Sequence, residues 1–189
     1  MLVFIISGCS FLYEGKNGYK EQKVHIKKEI INNYSKAILK DPNNSFFFLE
    51  RGKTKHEYGD FRGAIKDFNN SFKINPDIKV IFYRGNSKFY YGDFRGAIKD
   101  YEKLNFLKNF NDQIFYNTAS AQLITFKYQD AINNFNKSIK YDKNDDYAYL
   151  YRANAKFELN DYFGSILDYT KSIEINNKSY IAFNNRGVS

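Results

Sequence analysis

The feature that most constrains this chain is an internal repeat. The nine residues Gly59–Asp67 recur unchanged as Gly92–Asp100, 33 residues later, and weaker copies begin at Tyr128 and Tyr162, with a spacing of 34. A second series of small residues keeps the same step: Gly52, Gly85, Ala119, Ala153 and Gly187. Because two independent series share one period, the sequence predicts an array of short units rather than one indivisible domain.

Each unit has the pattern of two helices. In the second helix of the first unit, apolar residues recur at helical spacing from Phe61 through Ala64 to Phe68, which predicts an amphipathic helix. Gly59 and Asp60 precede it and supply a flexible C′ residue and an N-cap side chain. A proline shortly after the helix ends the unit. No stretch alternates with period two, so we expect no strands.

A 34-residue unit of this kind resembles the tetratricopeptide repeat. The shared positions are a small residue in the first helix, followed by an aromatic, an alanine, a second aromatic and a small residue in the second helix, and then a proline. In the first unit these are Gly52, Phe61, Ala64, Phe68, Ser71 and Pro76. The resemblance covers roughly residues 24–189 and implies an all-α, right-handed superhelical solenoid of antiparallel helix pairs.

The period also divides the chain. We predict a half-repeat helix at 24–43, full repeats at 44–77, 78–111, 112–145 and 146–179, and the start of a fifth repeat at 180–189. A solenoid needs polar caps at its ends, and no obvious cap follows residue 180. Two interpretations stay open: the native array is longer or is covered by a partner at this end, or the half-repeat caps it adequately.

The first nine residues have a different character. Residues 1–6 are apolar, and Ile6-Ser7-Gly8-Cys9 resembles the lipobox of a bacterial lipoprotein, in which Cys9 carries the lipid. We therefore expect a truncated lipoprotein signal at 1–9, a linker at 10–23 and a location in the bacterial cell envelope. The segment has no basic residue before Cys9, and a secretory signal normally has one. A frayed apolar N-terminus on a cytoplasmic protein is the alternative.

The residue types that carry catalysis and metal binding are scarce. The chain has one cysteine and two histidines, and neither histidine has ligands at metal-binding spacing. No Ser/His/Asp or Cys/His set suggests a nucleophilic site. We therefore predict a non-enzymatic protein with no cofactor and no metal, and recognition remains as its chemistry.

The family resemblance places recognition in a concave groove lined by the first helices. It implies that a protein or peptide binds there, on amides and aromatic rings. The candidate residues are Leu49, Lys53, His56, Phe82, Asn86, Phe89, Tyr116, Asn117, Ser120, Leu123, Leu150, Asn154 and Phe157. Alternatively, the aromatic members complete the core between repeats. Some members of the family clamp a C-terminal carboxylate, but only Lys53, Asn86 and Asn117 match that set, so we do not expect a carboxylate clamp.

Charge suggests a second function. The net charge is +8, and all of the excess lies in residues 1–111, so the alternative is an electrostatic binder of an anionic surface, either lipid or an acidic macromolecule. Lysines scattered among acids do not favour nucleic acid. Arginines also recur just before the small residue, where they form a basic ladder or pair with acids on the second helix; we favour pairing. They are Arg51, Arg84, Arg152 and Arg186, with Thr118 in the third unit.

Overall fold

The computed structural model describes residues 17–106 and 112–189. These ranges form the helices α1 (Asn17–Lys40), α2 (Ser45–Tyr58), α3 (Phe61–Ile74), α4 (Ile78–Tyr91), α5 (Phe94–Phe106), α6 (Asp112–Ile124), α7 (Tyr128–Tyr141), α8 (Asp146–Glu158), α9 (Tyr162–Ile175) and α10 (Tyr180–Val188). No strand occurs in them, so the all-α prediction is confirmed. Cys9 and the predicted signal lie outside the described residues.

The helices form two layers. Each helix packs against the helices before and after it in the chain, and α2 also contacts α4 while α6 contacts α8. The first helices of the repeats (α2, α4, α6, α8 and α10) therefore form the inner layer, and the second helices (α3, α5, α7 and α9) form the outer one. This is the arrangement of a helical solenoid.

In the first two repeats, the turn between the two helices is fixed by Gly-Asp and a later glycine; in the fourth, Asn160 with φ of 63° stands in place of the first glycine. Gly59 adopts a left-handed conformation with φ of 89°, and Asp60 Oδ1 accepts a hydrogen bond of 2.9 Å from the backbone N–H of Gly63. A Cβ at Gly63 would lie 2.1 Å from Asp60 Oδ2. The residue pairs Asp93/Gly96 and Asp161/Gly164 repeat the same contact. The turn chemistry read from the sequence is confirmed.

The turn of the third repeat has neither the left-handed glycine nor the N-cap aspartate. Phe126 occupies the left-handed position with φ of 61°, and Lys127 at the N-cap makes no capping hydrogen bond through its side chain. A left-handed conformation is costly for a residue with a Cβ. The turn between α6 and α7 is therefore less stable than its counterparts.

We expect Phe126→Gly to raise the free energy of unfolding by about 1 kcal/mol, because it removes that strain at an exposed site. Urea denaturation measures the change. Gly92, with φ of 92°, is the matched control, and Gly92→Ala should lower stability by a similar amount. A Phe126→Gly variant that is no more stable than the parent protein would contradict this explanation.

The core is a row of aromatic rings packed on small residues. Phe68, Tyr101, Phe135 and Tyr169 of the outer helices are each at most 2% exposed. A Cβ added at Gly52 would lie 2.8 Å from the ring of Phe68. The small residue of each first helix is therefore what lets the ring approach its backbone.

Buried ion pairs join the two helices of three repeats. Asp100, with a side chain 3% exposed, accepts hydrogen bonds from Arg84 Nε at 2.8 Å and Nη2 at 2.6 Å, and Lys88 Nζ lies 2.8 Å from the same carboxylate. Asp67 and Asp168 make the same contacts with an arginine and a lysine each. The predicted pairing of these arginines is confirmed for Arg51, Arg84 and Arg152.

Two positions of the arginine series lack the ion pair. In the third repeat the triad is replaced by uncharged Thr118, Gln122 and Asn134, and Asn134 Nδ2 donates to Gln122 Oε1 at 2.8 Å. Arg186 has no carboxylate partner within the described ranges; its Nη1 lies 3.4 Å from Thr170 Oγ1. Pairing with an acid is therefore wrong for Arg186.

Candidate functional site

Two rows of residues on the inner helices form the floor of the predicted groove. One row lies two positions before the small residue of each repeat, and the other lies one position after it. The first comprises Glu50, Tyr83, Asn117, Tyr151 and Asn185, and the second comprises Lys53, Asn86, Ser120 and Asn154. Because both rows sit on the face where neighbouring inner helices meet, a ligand in the groove would contact them.

The two rows meet across repeat boundaries. Lys53 Nζ lies 4.9 Å from the centre of the Tyr83 ring, which is within cation–π distance. Asn117 Nδ2 donates to Asn86 Oδ1 at 3.1 Å, and Asn185 Nδ2 donates to Asn154 Oδ1 at the same distance. These contacts tie successive inner helices together and hold the groove in one shape.

The asparagine oxygens have a second partner in the core. Tyr101 Oη donates to Asn86 Oδ1 at 2.8 Å, and Tyr169 Oη donates to Asn154 Oδ1 at 2.7 Å. Burial raises the pKa of both tyrosines above the ordinary range, so both hydroxyls keep their protons. Each asparagine oxygen therefore accepts two hydrogen bonds from within the fold, and the amide N–H groups are what remain for a ligand.

Most of the predicted groove residues are half-buried on the inner helices. Leu49, Lys53, His56, Phe82, Asn86, Phe89, Tyr116, Asn117, Ser120, Asn154 and Phe157 are of this kind. Leu123 and Leu150 are 6% and 1% exposed and pack in the core. Their assignment to the groove is wrong, because a side chain with so little exposed surface cannot contact a ligand.

The sequence prediction missed several exposed rings on the same face. Phe46, Tyr90 and Tyr147 are 55%, 53% and 44% exposed. They stand six positions before or five positions after the small residue of their repeats. The sequence contained only a weak signal for them, since the earlier position holds a ring in two of the four repeats and the later position in one. Only burial separates these rings from those at the neighbouring core positions.

The charges of the groove are largely compensated. Lys53 Nζ lies 2.7 Å from Glu50 Oε1, and Glu57 Oε2 lies 3.5 Å from Lys27 Nζ. Lys53, the lysine of the carboxylate-clamp pattern, already has a carboxylate partner. The groove therefore presents rings and amides rather than a net charge.

His56 lies between the first and second repeats. Ser87 Oγ donates its hydrogen to the Tyr83 carbonyl oxygen at 2.9 Å, so it accepts from His56 Nδ1 in their 2.8 Å contact. The imidazole also meets the rings of Phe61 and Tyr90 edge to face. Burial lowers the pKa of His56 below its ordinary value of 6.5, and Glu57 opposes this shift only in part.

We expect His56 to make the fold less stable in acid. Since its pKa is lower in the folded chain than in the unfolded one, the unfolded chain binds the proton first as the pH falls. The contribution of the neutral ring is present above about pH 6.5 and is lost as the pH falls toward the folded pKa. Urea denaturation from about pH 7.5 to about pH 5 should show a steeper loss for the parent protein than for His56→Gln.

Exposed His25 provides the control for this measurement. His25→Gln, which replaces an exposed histidine by the same residue, is measured over the same pH range. An equally steep loss in His56→Gln and the parent would mean that other groups cause the acid sensitivity.

Two further findings concern the described part of the chain. It has no cluster of three or more His, Cys, Asp or Glu side chains placed to hold a metal ion. None of its helices is both long enough and apolar enough to cross a membrane.

Comparison with known proteins identifies the fold. No protein-family model matches the sequence, and no curated protein matches it in sequence. Solved structures do match: a crystal structure of MamA is 19% identical, with 88% of this chain and 98% of that chain covered and a TM-score of 0.76. YrrB, described as a TPR protein with an unusual peptide-binding site, is 14% identical over 82% of this chain and 80% of that chain, with a TM-score of 0.71.

A third match is smaller. The first TPR of Spaghetti (RPAP3), solved with an HSP90 peptide, is 25% identical over 59% of this chain and 88% of that chain, with a TM-score of 0.56. These likenesses establish the fold: the chain is a solenoid of tetratricopeptide-type repeats, as its sequence predicts.

Proposed function

We propose that the chain is a non-catalytic scaffold that binds a peptide segment of another protein in the groove of its inner helices. The observation that carries this proposal is the floor of the groove. There, rings and amide groups stand in two rows held in place by contacts between repeats. Because the site is shaped before the ligand arrives, little conformational freedom is lost on binding.

The composition of the groove indicates the kind of peptide. Lys53 and Glu57 already have partners of opposite charge, so a strongly charged peptide would gain little here. The exposed rings of Phe46, Tyr90 and Tyr147 suit apolar or aromatic side chains, and the asparagine N–H groups suit backbone carbonyl oxygens. Peptide binding by the structurally similar YrrB and RPAP3 supports the proposal.

The test selects a ligand and then maps it. Random peptides displayed on phage are selected against the full chain, and the dissociation constant of the best one is measured by fluorescence polarisation. Tyr90→Ser should weaken binding about tenfold or more, because a ring at the centre of an interface commonly contributes that much.

Tyr91→Ser is the matched control. Tyr91 is 54% exposed, against 53% for its neighbour Tyr90, but it points in a different direction because successive helical residues are about 100° apart. Its substitution should leave the affinity unchanged. Equal losses in the two variants, or no loss in Tyr90→Ser, would place the peptide outside the groove.

We further propose that Cys9 is lipidated and attaches the scaffold to the bacterial cell envelope. The proposal rests on the sequence Ile6-Ser7-Gly8-Cys9 alone. Mass spectrometry of the N-terminus of the native protein tests it. An unmodified Met1 in protein from the soluble fraction would instead support the cytoplasmic alternative.

A further inference from the structure

The outer helices carry a second row of exposed residues. On each of them, two positions four residues apart are exposed, and we call these eight residues the outer row. It comprises Arg62 and Lys66 on α3, Arg95 and Lys99 on α5, Gln129 and Asn133 on α7, and Phe163 and Leu167 on α9. Since the two positions are exposed in internal repeats as well, the exposure of Phe163 and Leu167 does not depend on where the array ends.

The basic half of the outer row is uncompensated. Arg62, Lys66, Arg95 and Lys99 form no ion pair within the described residues, whereas Arg51, Arg84 and Arg152 on the inner helices are all paired. The row itself contains no acid. The carboxylates of Asp67 and Asp100 on the same helices are buried and already paired. The remaining acid of the two helices, Glu102 on α5, is exposed but forms no ion pair with the four cations within the described residues. These four cations are therefore free to meet an anionic partner.

The two residues of the outer row on α9 are apolar, whereas those on the other helices are charged or polar. Phe163 is 75% exposed and Leu167 is 54% exposed, at positions where the other repeats have Arg, Lys, Gln or Asn. Tyr162 and Ile166 on the same helix add 45% and 36% exposed side chains. Exposed apolar side chains that adjoin one another on one helix face, as these four do, mark a site of interaction.

We propose that the outer row is a membrane-binding surface for anionic lipid bilayers. The four cations would lie against the acidic headgroups, and Phe163 and Leu167 would enter the boundary between headgroups and acyl chains. A bilayer with anionic lipids offers both kinds of partner in adjacent layers, acidic headgroups for the cations and the apolar boundary beneath them for the apolar pair. Bound in this way, the chain presents its inner groove to the solvent, so a peptide and a membrane can bind together.

The experiment measures binding to lipid vesicles by sedimentation. The vesicles contain phosphatidylcholine alone or with phosphatidylglycerol as about a third of the lipid, which gives a negative surface potential. The full chain is produced without a lipid on Cys9, so no acyl anchor contributes. We expect binding to the anionic vesicles, reduced but not abolished by high salt, and little binding to phosphatidylcholine alone.

Two pairs of charge substitutions distinguish binding through the outer row from attraction caused by the net charge of the chain. Arg62→Gln with Arg95→Gln removes two cations from the row, and Lys79→Gln with Arg186→Gln removes two cations, unpaired within the described chain, from the inner helices α4 and α10. The outer pair should lower the partition coefficient about tenfold or more, because each cation near an anionic leaflet contributes about fivefold. The inner pair should lower it by less than about threefold.

A third variant tests the apolar half. Phe163→Gln with Leu167→Asn copies the residues that the third repeat carries at these positions, so it is compatible with the fold. It should lower the partition coefficient about tenfold and remove the binding that survives high salt, since apolar burial is not screened. Circular dichroism and urea denaturation confirm that each variant is folded.

The proposal is wrong if the outer and inner charge variants lose binding equally, or if Phe163→Gln with Leu167→Asn binds like the parent protein. Soluble polyglutamate that binds as tightly as the anionic vesicles and competes with them would assign the row to an acidic protein instead. None of these outcomes depends on the peptide measurements, because the outer row and the groove lie on different helices.

Discussion

Replacing Asp100 by alanine should lower the free energy of unfolding by about 3–5 kcal/mol, the largest effect that we expect of one substitution in this chain. The carboxylate is buried and accepts both Arg84 nitrogens, with Lys88 at 2.8 Å. Without it, a guanidinium whose side chain is only 12% exposed is left without its counter-ion. Urea denaturation followed by circular dichroism measures the loss.

The third repeat provides the control for this prediction. Asn134 occupies the position of Asp100 and contacts the uncharged Gln122. Asn134→Ala should lower stability by only about 1–2 kcal/mol, the cost of a lost neutral hydrogen bond. Similar losses in the two variants would mean that the charge on the arginine and lysine left behind is not what makes Asp100 important.

Replacing Gly85 by valine should lower the free energy of unfolding by about 3 kcal/mol, since overpacking a filled core typically costs 1–3 kcal/mol and occasionally more. A Cβ at this position would lie 2.8 Å from Tyr101 Cε1 and 3.3 Å from Asp100 Cβ. Tyr101 cannot swing away freely, because its hydroxyl donates to Asn86 Oδ1 at 2.8 Å. Urea denaturation measures this loss as well.

Gly187 is the matched control for Gly85. It occupies the same position of the repeat, but an added Cβ there meets no atom within 4 Å. Gly187→Val should therefore change stability by less than about 0.5 kcal/mol, as surface substitutions usually do. If Gly187→Val destabilised the chain as much as Gly85→Val, the cause would be the backbone rather than the ring of Tyr101.

The helix pairs and their turns could be predicted because their signals are local. Gly59 and Asp60 act within one turn of the chain, where a left-handed glycine and an N-cap aspartate have few alternatives. The pairing of Arg84 with Asp100 could also be expected, because the repeat brings residues 16 apart in the sequence onto facing helices. Arg186 followed the same pattern but lacks the acid within the described chain.

The sequence could predict which helices line the groove, but not which of their side chains are exposed in it. The family resemblance identified the inner helices, yet Leu123 and Leu150 are buried while Tyr90 and Tyr147 are exposed. Adjacent helical positions differ by about 100°, and a shift of one residue moves a side chain from the core to the groove. In an aromatic-rich chain, residue type does not separate the two environments.

The sequence by itself determined the period, the helix pairs, the turns and the buried ion pairs, because each depends on residues at fixed spacings that recur in most of the repeats. Only the tertiary structure decided which rings are exposed in the groove and that the asparagine oxygens are already occupied. It also placed the cations of α3 and α5 in one row with Phe163 and Leu167. These properties depend on how neighbouring repeats pack. Packing between helices distant in sequence cannot be inferred from the sequence of any single repeat.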